Sequence, residues 1–417
     1  MSIANLVALS GIRRKYKNHP VATEHRWAYN SYRFVGGYSS LRTRNNPTLY
    51  RAPPWVNGFT AWLPERLAGV HSAGFTLLDL ARRGLLSAET IDAFKDETGL
   101  ADFAWRVYWS DGHAHSSTQA MADRLRLARG LVIFLHGWTG TGAIWEDLPA
   151  QVVARNPQTV ALVPDVNGFG GTPFRSSLPL LEQCGPPALM HTVERWLDLI
   201  KVRPEPRRGR RPLVYVGHSM SGAALFFLDE CTLEQGDVGC IAAAPALLMN
   251  DRDRQRFYKT LGAGIRLTGL TGAFDRLAEA VIAPRVIEAL AGGASDLVQA
   301  EHRRVYRATP QGVVARTFAA LAELDADLSR ESWPHFSVFL GEDDRLVGLE
   351  QALSLLETFH FRREQIHAMP GDHYFFSIGA RSPDHAHNRE RLLAEIIDMM
   401  DRLQKSLSMN GRDPRHT

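Results

Sequence analysis

The stretch Val214-Tyr215-Val216-Gly217-His218-Ser219-Met220-Ser221-Gly222 decides how the rest of this 417-residue chain is read. Leu213 to Val216 is a short apolar run expected to form a buried strand, and Met220 to Leu233 carries a helical pattern. A serine on the turn between them is held with its oxygen exposed above the sheet. It also lies near a helix N-terminus, where backbone N–H groups can meet developing negative charge. Such a turn needs small residues two positions either side of the serine, because strand and helix backbones approach closely there. Gly217 supplies one; the other position holds Ser221, followed by Gly222, so a normal but more crowded turn is expected.

Outward from this turn the chain alternates strand and helix. Strands are expected over Phe103–Trp109, Leu131–Leu135, Thr159–Val163, Gly239–Ala244, Ser337–Leu340 and Gln365–Met369. Helices are expected over Ala143–Ala154, Leu189–Lys201, Leu349–Phe359 and Asn388–Leu403, with a turn-rich loop at Asp165–Thr172. Strands alternating with helices imply an α/β fold: a mostly parallel central sheet, helices on both faces and right-handed crossovers. The alternation lapses over residues 246–331, where helical patterns and no convincing buried strand occur, so a helical cap is expected above the strand ends. The core is thereby split into 103–245 and 332–417.

Residues 1–102 read as an irregular, aromatic-rich extension, either a lid over an apolar site or an arm whose rings pack on the main body. Trp27, Tyr29, Tyr32, Phe34, Tyr38, Tyr50, Trp55, Phe59 and Trp62 stand there among many Gly, Pro, Asn and Arg residues. It is expected to close with helices over Phe75–Arg83 and Ser87–Lys95, the second capped by Ser87.

Composition narrows the function classes. The chain is 45% hydrophobic and 22% charged, ordinary for a globular protein, and its net charge of +3 gives no reason to expect a nucleic-acid partner. The basic, Pro-rich run Arg203–Pro212 reads as a solvated connector. Three cysteines, Cys184, Cys231 and Cys240, are too few for a disulfide framework and suit a reducing, cytoplasmic setting. The apolar run Ile3–Leu9 precedes its basic residues, opposite to an export signal, and no run is long enough for a transmembrane helix. That run leaves peripheral membrane contact open. His113 and His115 lack the Cys or carboxylate partners that would complete a metal site, so no metal and no cofactor are expected.

Over roughly residues 103–405 the sequence resembles the α/β-hydrolase superfamily. Beside the serine turn, the motifs that carry the resemblance are Leu135-His136-Gly137-Trp138, Pro164-Asp165-Val166-Asn167-Gly168-Phe169-Gly170, Leu340-Gly341-Glu342-Asp343-Asp344-Arg345-Leu346-Val347 and Pro370-Gly371-Asp372-His373-Tyr374-Phe375. They stand in the family's order of serine, acid and histidine. The resemblance implies an oxyanion hole formed by the backbone N–H groups of Trp138 and Met220, and by family spacing it puts the acid at Asp344. A serine in the nucleophile position argues against relatives that dehalogenate or open epoxides, where the family carries Asp.

The chemistry follows from the residues as well. A serine hydroxyl is a poor nucleophile until a base takes its proton. His373 is the only histidine directly after a late strand in a Gly-containing loop, which makes it the expected base. Asp344 would hold the imidazole tautomer and stabilise the imidazolium. Asp343 competes with Asp344 for that role, and Asp251 or Asp253 are rival acids after the strand ending at Ala244. His136 and His218 read as structural neighbours of the site. The expected activity is cleavage of a carboxylic ester or related acyl bond of a small molecule through an acyl-enzyme. The same triad could serve a C–C bond or amide hydrolase, and a non-catalytic binding protein on the same fold is the alternative of another class. Oligomeric state is left open.

Overall fold

A computed structural model of the chain describes residues 67, 69–110, 124, 125, 127–200, 210–234, 236–247, 283–322, 324, 328, 330–378 and 384–410. The aromatics expected in the N-terminal arm, the run Ile3–Leu9, His113, His115 and the rival acids Asp251 and Asp253 lie outside the described residues.

Among the described residues, eight strands form one sheet in the order β1-β2-β4-β3-β5-β6-β7-β8. They are β1 (Val70–Thr76), β2 (Ala104–Ser110), β3 (Gly130–Leu135), β4 (Thr159–Pro164), β5 (Leu213–His218), β6 (Val238–Ala243), β7 (Phe336–Gly341) and β8 (Ile366–Met369). β1 pairs antiparallel with β2, and β2 antiparallel with β4; every other pairing is parallel. Each of β3 to β7 is buried at all six of its positions. Alternate residues of a strand face opposite sides, so helices cover both faces of this sheet.

The helices are α1 (Leu77–Arg82), α2 (Ala88–Thr98), α3 (Leu148–Arg155), α4 (Pro186–Leu199), α5 (Met220–Ala224), α6 (Glu230–Glu234), α7 (Ala283–Ala291), α8 (Asp296–Ala308), α9 (Gln311–Ala322), α10 (Leu349–Thr358) and α11 (His385–Asn410). α11 packs against α3, β5 and β6. Its Met400 lies over Gly130, and Met399 and Leu403 lie over Gly239, so a side chain at either glycine would make them shift. Trp196 of α4 is fully buried against Phe103 and Trp105, with ring centroids 5.0 and 5.4 Å away. Between β6 and β7 the described chain is helical, α7 to α9, as the lapse in strand patterning predicts.

Three local expectations need correction. Phe75 and Thr76 end a strand rather than begin a helix, and the sheet therefore reaches back to Val70, inside the segment read as an extension. β1 has no apolar run, since Val-His-Ser-Ala-Gly-Phe-Thr is mostly small or polar; it is an edge strand whose order comes from register with β2, Val70 opposite Ser110 through Thr76 opposite Ala104. The helix expected over Ala143–Ala154 is a 3₁₀ turn at Gly142–Trp145 followed by α3, the two separated by Glu146 at φ 52°. Pro149 in the first turn of α3 favours a fresh helix start there. The single helix expected from Met220 to Leu233 breaks after Ala224 into a 3₁₀ turn and resumes as α6.

An aromatic cluster locks this second break. Phe226 is fully buried, with ring centroids 5.2 Å from Trp333, 4.9 Å from Phe336 and 5.7 Å from Phe361, and Trp333 Nε1 donates to the Phe359 carbonyl at 2.7 Å. Phe226→Ala should therefore lower the unfolding free energy by about 3–5 kcal/mol, read from urea denaturation. A loss under about 1 kcal/mol would show that the cluster does not hold this turn.

Candidate active site

Ser219 stands between β5 and α5 with φ 55° and ψ −115°, a conformation costly for any residue with a side chain. Backbone bonds on every side hold it. Its N–H donates to the Ala243 carbonyl (2.9 Å), and its carbonyl accepts from Ala223 (2.9 Å) and Ala246 (3.0 Å). A methyl on Gly217 would sit 2.6 Å from the Ser221 carbonyl oxygen, and one on Gly222 would sit 3.1 Å from the Gly217 carbonyl oxygen. The close approach expected from the sequence is real, and Gly222 takes a share of it. Ser221 fits because its side chain is used: the buried hydroxyl donates to the His136 carbonyl, tying α5 to the loop after β3.

Past β7 and β8, two loops bring an acid and a base together. His373 Nδ1–H donates to Asp344 Oδ2 at 2.7 Å, both side chains being buried. Asp344 Oδ1 accepts the N–H groups of Leu346 (2.8 Å) and Val347 (3.0 Å), so the carboxylate is fixed at both oxygens. Burial alone would raise the Asp344 carboxyl; the His373 charge, their hydrogen bond and the two amides outweigh it and hold the group below its ordinary value. Asp343 is exposed.

Ser219, His373 and Trp138 line one cavity with Ala246, Leu290, Leu321, Leu346 and Val347. Of these, Leu290 comes from α7 and Leu321 from α9, helices of the insertion. At the start of the insertion, residues 248–282 lie outside the described region, and Leu247 is buried. Among the described residues, neither the N–H of Trp138 nor that of Met220 has an acceptor. The Trp138 side chain is anchored by its Nε1, which donates to Thr317 Oγ1 at 2.9 Å, and by Phe318, 5.3 Å between centroids.

The two neighbouring histidines hold loops. His136 Nε2 accepts from the Val166 N–H (2.8 Å), so its Nδ1 carries the proton and donates to the Gly137 carbonyl (2.8 Å). Burial lowers it to about 4, which keeps it neutral. His218 Nε2 donates to the His373 carbonyl (3.0 Å), and burial, then the neighbouring His373, lower it well below the ordinary value.

Sequence reasoning missed a buried polar set carried by α8. Glu301 accepts from Thr141 Oγ1 (2.7 Å) and from Arg304 (2.6 and 2.7 Å), and His302 contacts Thr139 and Tyr374. A signal was available: Val298, Glu301, His302 and Val305 share the helix face that packs inward, so two polar residues occupy apolar positions. The loop after β4 belongs to the same set. Asp165 accepts the N–H groups of Gly142 (3.0 Å) and Gly171 (2.9 Å).

Burial pushes the Asp165 carboxyl up from 3.8 to about 6, and the nearby Glu301 charge acts in the same sense. The folded value lies above the unfolded one. Stability from this group is therefore fully present below pH ~4 and is lost as pH rises through about 6. Thermal melting between pH 4 and 7 should show a shallower decline in Asp165→Asn than in the parent protein. An unchanged slope would mean Asp165 is already ionised in the folded state at pH 4.

Comparison with known proteins gives the family. The model of the alpha/beta hydrolase family matches residues 132–386. No curated protein matches the chain in sequence. Among solved structures, a thermophilic esterase from Thermogutta terrifontis aligns with a TM-score of 0.47 at 17% identity over 72% of this chain and 94% of its own. The esterase EaEST from Exiguobacterium antarcticum aligns at 0.47 and 12% identity over 66% and 92%. Potato epoxide hydrolase I aligns at 0.48 and 14% over 73% and 97%. With its family's model matching well over half of its length, the chain belongs to the alpha/beta hydrolase family.

Proposed function

We propose that the protein hydrolyses a carboxylic ester of a small molecule through an acyl-enzyme on Ser219. The observation that carries this reading is the 2.7 Å bond between His373 Nδ1 and Asp344 Oδ2, made beside a cavity that His373 shares with Ser219. With Nδ1–H committed to the carboxylate, Nε2 is the basic nitrogen of the neutral ring. It takes the Ser219 proton as the oxygen attacks the ester carbonyl, then returns it to the departing alcohol. Asp344 keeps the tautomer and stabilises the imidazolium without taking the proton. The N–H groups of Trp138 and Met220 receive the negative charge on the carbonyl oxygen; removing one such donor typically costs about 10²–10³ in turnover. Water, activated by the same histidine, then releases the acid.

The cavity supports an apolar acyl group, because its walls apart from Ser219 and His373 are apolar. Residues 246–331 are the proposed cap, and Ala246, Leu290 and Leu321 are its contribution to that wall.

Three measurements test the reading. A fluorophosphonate probe should label the protein at Ser219, and Ser219→Ala and His373→Ala should each lower turnover of 4-nitrophenyl acetate by several orders of magnitude. The double variant should be little worse than either single one. A wild-type protein that resists the probe would instead be a binding protein on this fold. Asp344→Asn should cripple turnover while Asp343→Asn leaves it nearly intact; the reverse result would move the acid by one position. Leu321→Ala and Leu290→Ala should shift the preference among nitrophenyl esters towards longer chains by roughly 10–200-fold per methylene-sized contact. An unmoved chain-length profile in both would exclude the cavity as the acyl pocket.

A further inference from the structure

His302 is fully buried on α8, and both its ring nitrogens are engaged by residues that adjoin the site. Nδ1 lies 3.1 Å from Thr139 Oγ1, and Nε2 lies 2.6 Å from Tyr374 Oη. Thr139 follows Trp138, whose amide is one of the two candidate oxyanion donors, and is itself held at φ 56°. Tyr374 follows His373. Burial keeps His302 neutral by lowering it to about 4, and burial raises the Tyr374 phenol far above its ordinary range, so neither ionises near neutral pH. A neutral imidazole has one donor and one acceptor nitrogen, and each hydroxyl can donate or accept. In either tautomer the three side chains form one continuous directed chain of hydrogen bonds.

The loops it joins reach the site from the middle of the sheet and from one edge. Trp138 and Thr139 come just after β3, whereas His373 and Tyr374 come just after β8, at the far edge. The Tyr374 ring also lies 4.5 Å from His218, whose Nε2 grips the His373 carbonyl. Displacement of Tyr374 is thus carried into the backbone of His373. Displacement of Thr139 is carried into the peptide that presents the Trp138 N–H.

We propose that His302 is a positioning residue of the Ser219 site: by bridging Thr139 and Tyr374 it sets the distance between the Trp138 amide and the His373 imidazole, a role that rests on the triad reading above. It touches no reacting atom. Its effect is on geometry, so it acts on the chemical step and little on substrate binding. An error of about 1 Å in such a geometry can cost roughly 10²-fold in rate.

The test removes the two ends of the bridge without removing His302. Tyr374→Phe and Thr139→Val each delete one hydroxyl and keep the side-chain shape; the double variant deletes both. Turnover of 4-nitrophenyl acetate and the rate of fluorophosphonate labelling at Ser219 are measured, with melting temperatures alongside. Each single variant should lose roughly 10–100-fold in kcat with KM within about twofold, and slow labelling in proportion. The double variant should be no worse than the poorer single one, because either cut opens the same bridge. Thr139→Ser, which keeps the hydroxyl, should recover the parent kcat. If Tyr374→Phe fails to fold, the contrast between Thr139→Val and Thr139→Ser decides alone. Unchanged kcat with lowered melting temperature, or losses that multiply in the double variant, would overturn the bridge. If Ser219→Ala retains turnover, the triad reading fails and takes the bridge with it. If Ser219→Ala is inactive while both hydroxyl deletions are harmless, the bridge alone fails.

Discussion

Between Gly217 and Gly222 the backbones of β5 and α5 run so close that one added methyl would press to 2.6 Å from a carbonyl oxygen. That contact leaves the chain no room to relax through the turn, and the residue between strand and helix must take a positive φ. Ser219 holds that conformation only because its amide and carbonyl are bonded to Ala243, Ala223 and Ala246. The neighbouring loops then fit around the turn. Gly137 passes close enough that a methyl there would lie 2.9 Å from the Ser219 Cβ, and the Ser221 hydroxyl ties the next turn of helix to that loop.

Polar side chains, buried and paired, fasten the insertion to this frame. Glu301 and His302 reach Thr141, Thr139 and Tyr374, while Ser295 at the start of α8 donates to Glu146, which also accepts from Ser377 and Ile378. Thr317 receives the Trp138 indole. Burying so many polar groups is costly unless each finds its partner, so these bonds specify one seat for α8 and α9 above the strand ends. The described helices of the insertion are in this respect a fixed wall of the cavity.

Much of this is legible in the sequence. The all-apolar runs at β3, β4 and β7 and the glycine-flanked serine report local physics directly: burial on both faces and a tight strand-to-helix reversal. The pairing of His373 with Asp344 was also within reach, because each follows a strand and the loops are short. What escaped depends on contacts distant in sequence. β1 is a strand through its partner β2 and not through its composition. Leu290 and Leu321 line the cavity because helices more than sixty residues past Ser219 fold back over it, which no local pattern encodes. Glu301 and His302 left a trace, as polar residues on an apolar helix face, but their partners at Thr139, Thr141 and Tyr374 could only be seen in three dimensions.

The C-terminal helix carries a consequence for how the molecule is made. Arg389 of α11 donates to the carbonyls of Trp145 and Phe376 at 3.0 Å and pairs with Asp147, so it joins the loop after β3 to the loop that follows His373. Met399, Met400 and Leu403 of the same helix cover the glycines at the starts of β3 and β6. A ribosome delivers β3 and β5 long before it delivers these residues, and the strands they cover stay without that cover in the meantime. Ser219 is therefore synthesised before His373 and before the Arg389 clamp that seats the loop after it. Docking of α11 is then the step that joins the loop after β3 to the loop that follows His373.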